Sequence, residues 1–264
     1  MSGLHEQLFK RSDHNMKHIA SCSFGADSVA SVLLAIEHKE PLDEAVYCEV
    51  MFDRKTSGEV PEHRDFIYEK AIPYFEKYGI KTKVLRSEWT YIDHFTAVIT
   101  KGYRKGKIRG FPLCGMCSIC RDCKLPPIKG YINSLPKDTV QYLGIASDEQ
   151  ERLFRLNSQK ISLLEKYDVT QKSARELAKK HGLLSPIYEF APRNGCFFCP
   201  NAKEPELRHL YDYHPDLWQR MLWLQALPNK ASELFNRTMR FSEWNDNFYW
   251  DDMQMTFSDL DKTF

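Results

Sequence analysis

The sequence predicts an α/β protein built on a mostly parallel sheet, and three observations carry that prediction. Short apolar, strand-like segments alternate with longer helical stretches over roughly the first 190 residues, an order that implies parallel strands joined by crossover helices. The 264 residues are 42% hydrophobic and 28% charged, close to average soluble usage, which excludes disordered, collagen-like and coiled-coil classes. The longest wholly apolar run, Val32–Ile36, is far short of the roughly 20 residues of a membrane span. Lys and Arg total 37 against 36 Asp and Glu, a net charge of +1, so any contact with a polyanion must be local.

The elements follow in order. His18–Ser23 reads as a short buried strand, and the turn at Phe24-Gly25-Ala26 leads into a helix over Ser28–His38. Ala45–Phe52 is a second strand, Pro61–Tyr78 a helix, and Lys81–Leu85 a third strand. An irregular stretch at 102–127 carries basic residues and four cysteines, before a short helix near Ile128–Ser134. Thr139–Ala146 makes a fourth strand and Glu151–Tyr167 a helix. A further helix spans Val169–Gly182, with Thr170 as its N-cap and Gly182 as its stop. Beyond Pro192 come a Cys pair, a helix over Pro205–Leu227, and an aromatic, acidic tail from Phe241 to Phe264. The expected division is residues 1–190 as one domain carrying the 102–127 insertion, and 191–264 as a helical appendage. The amino-terminal residues Met1–Glu6 lack the basic, apolar and small-residue stretches of a signal peptide, so the expected location is the cytoplasm.

Six of the eight cysteines are clustered: Cys114, Cys117, Cys120 and Cys123 at three-residue steps, and Cys196 with Cys199. Cytosolic thiols stay reduced, so such clusters point to metal or redox chemistry rather than to disulfides. Two CxxC-type pairs can complete a tetrahedral zinc site or hold the corners of an iron–sulfur cluster. Both remain open, and six thiols exceed what one structural zinc needs. Cys22 and Cys48 sit alone in apolar strands and read as core residues.

Ser23-Phe24-Gly25-Ala26-Asp27-Ser28 lies between the first strand and the first helix, where unsatisfied N–H groups and the helix dipole favour phosphate. Gly25 allows close backbone approach, Ser23 and Ser28 offer hydroxyls, and Asp27 can hold Mg2+ or cap the helix. This segment resembles the Ser-Gly-Gly-x-Asp-Ser pyrophosphate loop of the N-type ATP pyrophosphatases and phosphoadenosine-phosphosulfate (PAPS) reductases, with Phe24 in place of the first Gly. Three further stretches resemble that family in order: Ser57-Gly58-Glu59-Val60-Pro61-Glu62, Cys120 to Ile128, and Gly144-Ile145-Ala146-Ser147-Asp148-Glu149 with Arg152 beyond it. Cys123 departs from the family pattern, which has Arg at that place.

The resemblance implies a Rossmann-like, HUP-type sheet with helices on both faces, holding ATP or a related adenine nucleotide at its C-terminal edge. It implies nucleotide contacts from residues Ser23–Ser28 and Gly144, and Asp53, beyond the second strand, lies at the same edge. Gly195-Cys196-Phe197-Phe198-Cys199-Pro200 resembles the second Cys pair of cluster-bearing adenosine-phosphosulfate reductases. Cys120 matches the second Cys of their first pair, but Ile119 stands where the other should be. The favoured ligands are therefore Cys117, Cys120, Cys196 and Cys199, with Cys114 and Cys123 as alternates. His209 and His214 read as packing or surface residues.

Lys101, Arg104, Lys105, Lys107 and Arg109 precede the cysteines and form a local anion-binding patch for triphosphate, pyrophosphate or a nucleic-acid backbone. Trp218 and Trp223 are expected in the core. The function the resemblance implies is ATP-dependent adenylation of an acceptor oxygen, with release of pyrophosphate and then sulfur transfer. Asp27 would hold Mg2+, and Arg104, Lys105 or Arg121 would cover the leaving group. The acceptor is a small molecule or a nucleobase, with nucleic acid and a homodimer as open partners and no membrane. The alternatives are PAPS or adenosine-phosphosulfate reduction, disfavoured because no Cys follows Cys199, and a nucleic-acid sulfur-modification or defence component.

Overall fold

The computed structural model describes residues 16–113, 115, 117–192 and 195–261; Cys114 and the amino-terminal stretch lie outside the described residues. Among the described residues there are seven strands: β1 (His18–Ser21), β2 (Glu44–Glu49), β3 (Lys81–Arg86), β4 (Ile108–Gly110), β5 (Val140–Leu143), β6 (Lys160–Ile161) and β7 (Lys230–Ser232). Five of them form one sheet in the order β3-β2-β1-β5-β6, with every neighbouring pair parallel. This is an α/β, Rossmann-like fold. The chain divides into two compact units.

The first unit comprises 1–49, 61–86 and 126–186 and contains the five-stranded sheet. Its core joins Ala20, Cys22 and Tyr142 of the sheet region to Val29, Val32 and Leu33 of the helix Ala26–Glu37, and to Ala174 and Ala178 of the helix Gln171–Lys180. The small Ala pair lets the two helices approach, and each fully buried Val or Leu contributes about 1.5–3 kcal/mol. Thr170 caps the second of these helices as expected, its hydroxyl accepting from Ser173 N.

The second unit comprises 50–60, 87–125 and 187–264, so the 102–127 stretch groups largely with the C-terminal residues. Its separate core is aromatic: Phe52, Tyr91, Phe95, Phe111, Phe198, Trp218, Phe235, Phe241 and Phe248 are all buried. β4 and β7 pair in parallel within it.

Five elements differ from the sequence expectation, four of them for a local reason. Residues 151–167 are not one helix, because the Asn157 side chain accepts from Gln159 N and Lys160 N and closes a turn that delivers β6 onto β5. The expected helix Pro205–Leu227 is two helices, Glu204–Tyr213 and Pro215–Ala226, because Pro215 drives His214 out of the helical region to φ −132° and ψ 60°. The tail is helical over Phe241–Asp261. The helix from Pro61 widens into a π turn at Phe66–Ala71, where Ile72 N donates to Ile67 O just before Pro73, which has no N–H to offer. A second π turn, Cys120–Lys124, repeats this device: Leu125 N donates to Cys120 O just before Pro126.

Trp223 also departs from expectation. It is 52% exposed, whereas Trp218 is buried as predicted. Cys22 and Cys48 are buried, as their apolar strands required.

Candidate functional site

In the first unit the chain runs from β1 outward to β2 and β3, then returns to place β5 on the other side of β1. The carboxyl ends of β1 and β5 therefore flank the point where strand order reverses, which is where open parallel sheets form a ligand crevice. The segment Ser23–Ser28 follows β1, and Gly144–Glu149 follows β5. Gly25 is the N-cap of the helix Ala26–Glu37, with extended backbone at φ −72° and ψ 161°. Ser28 Oγ donates to Gly25 O at 2.9 Å, which tightens the turn.

Phe24 explains how this loop tolerates a large residue where the family pattern has Gly. Its backbone keeps the left-handed conformation a Gly would supply, at φ +59°. That conformation costs about 1–2 kcal/mol for a residue with a Cβ. The ring offsets the cost by complete burial, 5.2 Å edge-on from Tyr47 and stacked 5.7 Å from Phe75. Phe24 therefore faces the core, and only its backbone belongs to the loop.

Gly144 has a packing reason for being glycine. A Cβ there would lie 2.7 Å from both N and Cα of Ser28 and 2.8 Å from C of Asp27, all backbone atoms that cannot swing aside. The absence of a side chain lets the segment after β5 abut the first turn of the helix. Asp27 then sits in a charged neighbourhood: burial pushes its carboxyl up from the ordinary value, Glu149 and Asp148 push it further, and Arg152 and Arg175 oppose them. Glu149 is fixed in place, accepting from Ala146 N at 3.1 Å and from Arg152 at 2.6 and 2.8 Å. Arg175 was not singled out in the sequence; its position on the helix Gln171–Lys180 carries no local signal.

Cys117, Cys120, Cys123, Cys196 and Cys199 belong to the second unit, where a hydrogen bond ties the middle and late Cys segments together. Gly115 N donates to Asn201 Oδ1 at 3.0 Å across 86 residues of sequence. The Cys196–Cys199 turn closes with Cys199 N donating to Cys196 O at 3.2 Å, and it is held by Val60 N to Gly195 O and Phe197 N to Gly58 O. Gly58 permits this, since a Cβ would strike the Phe198 ring and Val50 O, both at 2.6 Å. Burial pushes the Cys196 thiol well up, with negative charge at Glu59, Cys199 and Cys117 adding to the effect and Lys124 opposing it. Cys117, Cys196 and Cys199 are partly buried. Cys120 is exposed, while Cys123 is buried in the aromatic core with its thiol 4.0 Å from Thr90 O. Among the described residues no three of these sulfurs lie within 4.8 Å of one another.

Tyr91 adds an observation that sequence reading missed. Its ring stacks 4.0 Å from Phe198, inside the Cys196–Cys199 turn, and among the described residues its buried hydroxyl has no hydrogen-bond partner. Burial holds the phenol well above its ordinary value, and negative charge at Cys117 and Cys199 adds to that. A buried donor beside clustered thiols suits a thiolate or sulfide acceptor. Soft thiolates suit an iron–sulfur cluster or zinc by their chemistry, but among the described residues the sulfurs are not drawn together as a zinc tetrahedron requires.

The remaining predicted residues also lie in the second unit. Asp53 accepts from Lys55 N and Thr56 N and pairs with Arg220. These partners outweigh the opposing effect of burial and draw its carboxyl down to about 2, so its oxygens are committed locally. Arg121 is paired with Asp122 at 2.6 Å. Arg104 and Lys105 sit on the hairpin at residues 98–108. His209 stacks on Phe190 at 3.7 Å and lies 5.7 Å from the His214 ring. Among the described residues no helix is long and apolar enough to cross a membrane.

The fold defines a parallel α/β protein in which the loop after β1 and the segment after β5 lie at the switch point of the sheet. No protein-family profile and no curated protein matches the sequence. Among solved structures, the chain is similar to the U34-tRNA thiolase NcsA from Methanococcus maripaludis with its 4Fe-4S cluster. The TM-score is 0.40 at 18% identity, over 78% of this chain and 67% of that one. Likeness at that level leaves function to be read from this chain's own residues.

Proposed function

We propose that this chain binds ATP in the crevice beyond β1 and β5 and adenylates an acceptor oxygen, releasing pyrophosphate to prepare the acceptor for sulfur transfer. The observation that supports this reading is the abutment of Gly144 on the first turn of the helix Ala26–Glu37, which brings Asp27 into the field of Asp148, Glu149, Arg152 and Arg175. In the reaction, a carbonyl or amide oxygen of the acceptor attacks the α-phosphorus. A new P–O bond forms as the bond to pyrophosphate breaks, and a sulfur nucleophile later displaces AMP.

The chain's own part is positioning and charge stabilisation. Backbone N–H groups of the loop and the hydroxyl of Ser23 would line the phosphate position, while the Ser28 hydroxyl is spent on Gly25 O and braces the turn. Arg152 and Arg175 neutralise the departing pyrophosphate. They are preferred to Arg104, Lys105 and Arg121 because they act on Asp27 within the first unit. Asp27 would hold Mg2+, whose charge, when bound, shields the phosphates from the neighbouring carboxylates. In the second unit Cys117, Cys196 and Cys199 would hold an iron–sulfur cluster or zinc, with Cys120 or Cys114 as the fourth ligand. Cys123 is the weakest candidate because it is buried in the core.

A second reading, reduction of a sulfonucleotide by a nucleophilic thiol, is favoured by one observation, the exposure of Cys120. Anaerobic purification with metal analysis, followed by pyrophosphate and sulfite assays, separates the two. Pyrophosphate release that needs ATP and Mg2+ supports adenylation, and sulfite release supports reduction. Asp27→Asn removes a carboxylate whose charge burial, Glu149 and Asp148 together disfavour, so the variant should be more stable than the parent at pH 7 and lose turnover. Full turnover in that variant would remove Asp27 from the mechanism.

A further inference from the structure

Between Asp93 and Asp122 the sequence contains no acidic residue but six basic ones, in a protein whose net charge is +1. Five of the six lie on or beside one hairpin. Its arms are joined by the Val98 and Ile108 bridge, by Ile99 N to Lys107 O at 2.8 Å, and by Gly106 N to Ile99 O at 2.9 Å. Its base is tied down on the other side by β4 pairing with β7 and by Asn229 Nδ2 donating to Gly106 O at 3.0 Å. The tip is thus held in one shape by backbone bonds.

That shape presents Tyr103 with 90% of its surface exposed. The Arg104 guanidinium lies 5.0 Å from the centre of the Tyr103 ring. At the base of the hairpin the pairing is repeated: Arg109 lies 5.7 Å from the ring of Trp89, itself 44% exposed. Lys101, Lys105 and Lys107 are exposed around them, and among the described residues neither they nor Arg104 form an ion pair. An aromatic ring held out on a rigid tip does nothing for the core, but it is a ready face for another flat ring.

We infer that this hairpin is a docking surface for single-stranded nucleic acid. The cations track the phosphates while Tyr103, and Trp89 at the base, receive unpaired bases. Stacking of this kind is insensitive to sequence, since every base has a π-face. A duplex keeps its bases stacked on one another and would use only the charges, which makes the single strand the preferred form. This deepens the reading above by giving its acceptor a chemical class. Binding is measured without ATP, so failure of the adenylation chemistry leaves the inference standing, and failure of binding leaves the adenylation chemistry untouched.

The test is fluorescence anisotropy of the full chain with labelled oligonucleotides of about 12 nucleotides, inside the usual range of about 4–16 for such surfaces. RNA and DNA single strands, the matching duplexes, and anionic phosphatidylglycerol vesicles are compared. Single strands should bind more tightly than duplexes, with log K falling against log salt at a slope of about −3 if the four unpaired cations each neutralise one phosphate. Tyr103→Ala should weaken single-strand binding about 5- to 100-fold. Tyr103→Phe, which keeps the ring, should bind like the parent and shows that the position tolerates change. Equal binding by the Ala variant, preference for duplex or for vesicles, or no salt-dependent binding at all would each overturn the inference.

Discussion

Replacing Gly144 by Ala tests the contact on which the proposed nucleotide site depends. The added Cβ would sit 2.7 Å from Ser28 N and Cα and 2.8 Å from Asp27 C. Ordinary carbon contacts are about 3.5–4.0 Å, so either the segment after β5 or the first helical turn must retreat by roughly 0.8 Å. Because the obstacles are backbone atoms of a packed helix, the overlap costs about 1–3 kcal/mol, typical of an overpacked core. At about 2–4 °C per kcal/mol for a chain of this size, the melting temperature should fall by about 2–12 °C. The same displacement moves the loop after β1 by most of an ångström, for which the proposed mechanism expects a loss of about 100-fold in pyrophosphate release. Gly130→Ala is the control, since a Cβ at Gly130, within the helix Leu125–Asn133, meets nothing within 4 Å. It should stabilise by about 0.5–1 kcal/mol and leave turnover alone. Urea unfolding followed by tryptophan fluorescence gives the stabilities. A Gly144→Ala protein with the parent's stability and turnover would refute the claim that these two segments touch.

Three further outcomes follow from the second unit. Asp53 is depressed to about 2 by the Lys55 and Thr56 N–H groups and Arg220, so its stabilisation is fully present above its ordinary value of 3.8 and is lost as pH falls toward about 2. Asp53→Asn should flatten the acid limb of the stability curve there, and an unchanged limb would show the pairing to be energetically silent. His94, lowered from 6.5 to about 4 chiefly by burial, is held neutral in the fold, so stability should fall as pH drops from 6.5 toward 4. His94→Gln should remove that slope, measured by urea titration at each pH. Tyr91→Phe should stabilise the metal-free chain by about 1 kcal/mol, because an unpartnered buried hydroxyl is removed, and should lose that advantage once metal is bound. Destabilisation of the metal-free protein by this change would mean that the hydroxyl already has a partner.

The order of strands and helices was legible along most of the chain because apolar periodicity is local and each crossover helix follows its strand. The loop after β1 was equally visible, since Ser, Gly and Asp before a helix have a fixed electrostatic meaning. Short-range chemistry, however, interrupted the long periodic stretches: the Asn157 side chain turned one expected helix into a turn and an edge strand, and Pro215 split another. Phe24 reads as an obstacle in a phosphate loop until its buried ring and left-handed backbone are seen together.

The sequence by itself determined that a turn bearing Ser, Gly and Asp links the first strand of a parallel α/β sheet to its helix and that six cysteines are grouped, because both signals lie within a few consecutive residues. Only the tertiary structure decided that Gly144 abuts Ser28, that Arg175 acts on Asp27, that Tyr91 stands unpartnered beside the thiols, and that Cys123 faces the core while Cys120 faces solvent. Those facts depend on which distant segments pack together. Packing is settled by the volume and hydrogen bonds of the whole fold, which no local pattern of residues encodes.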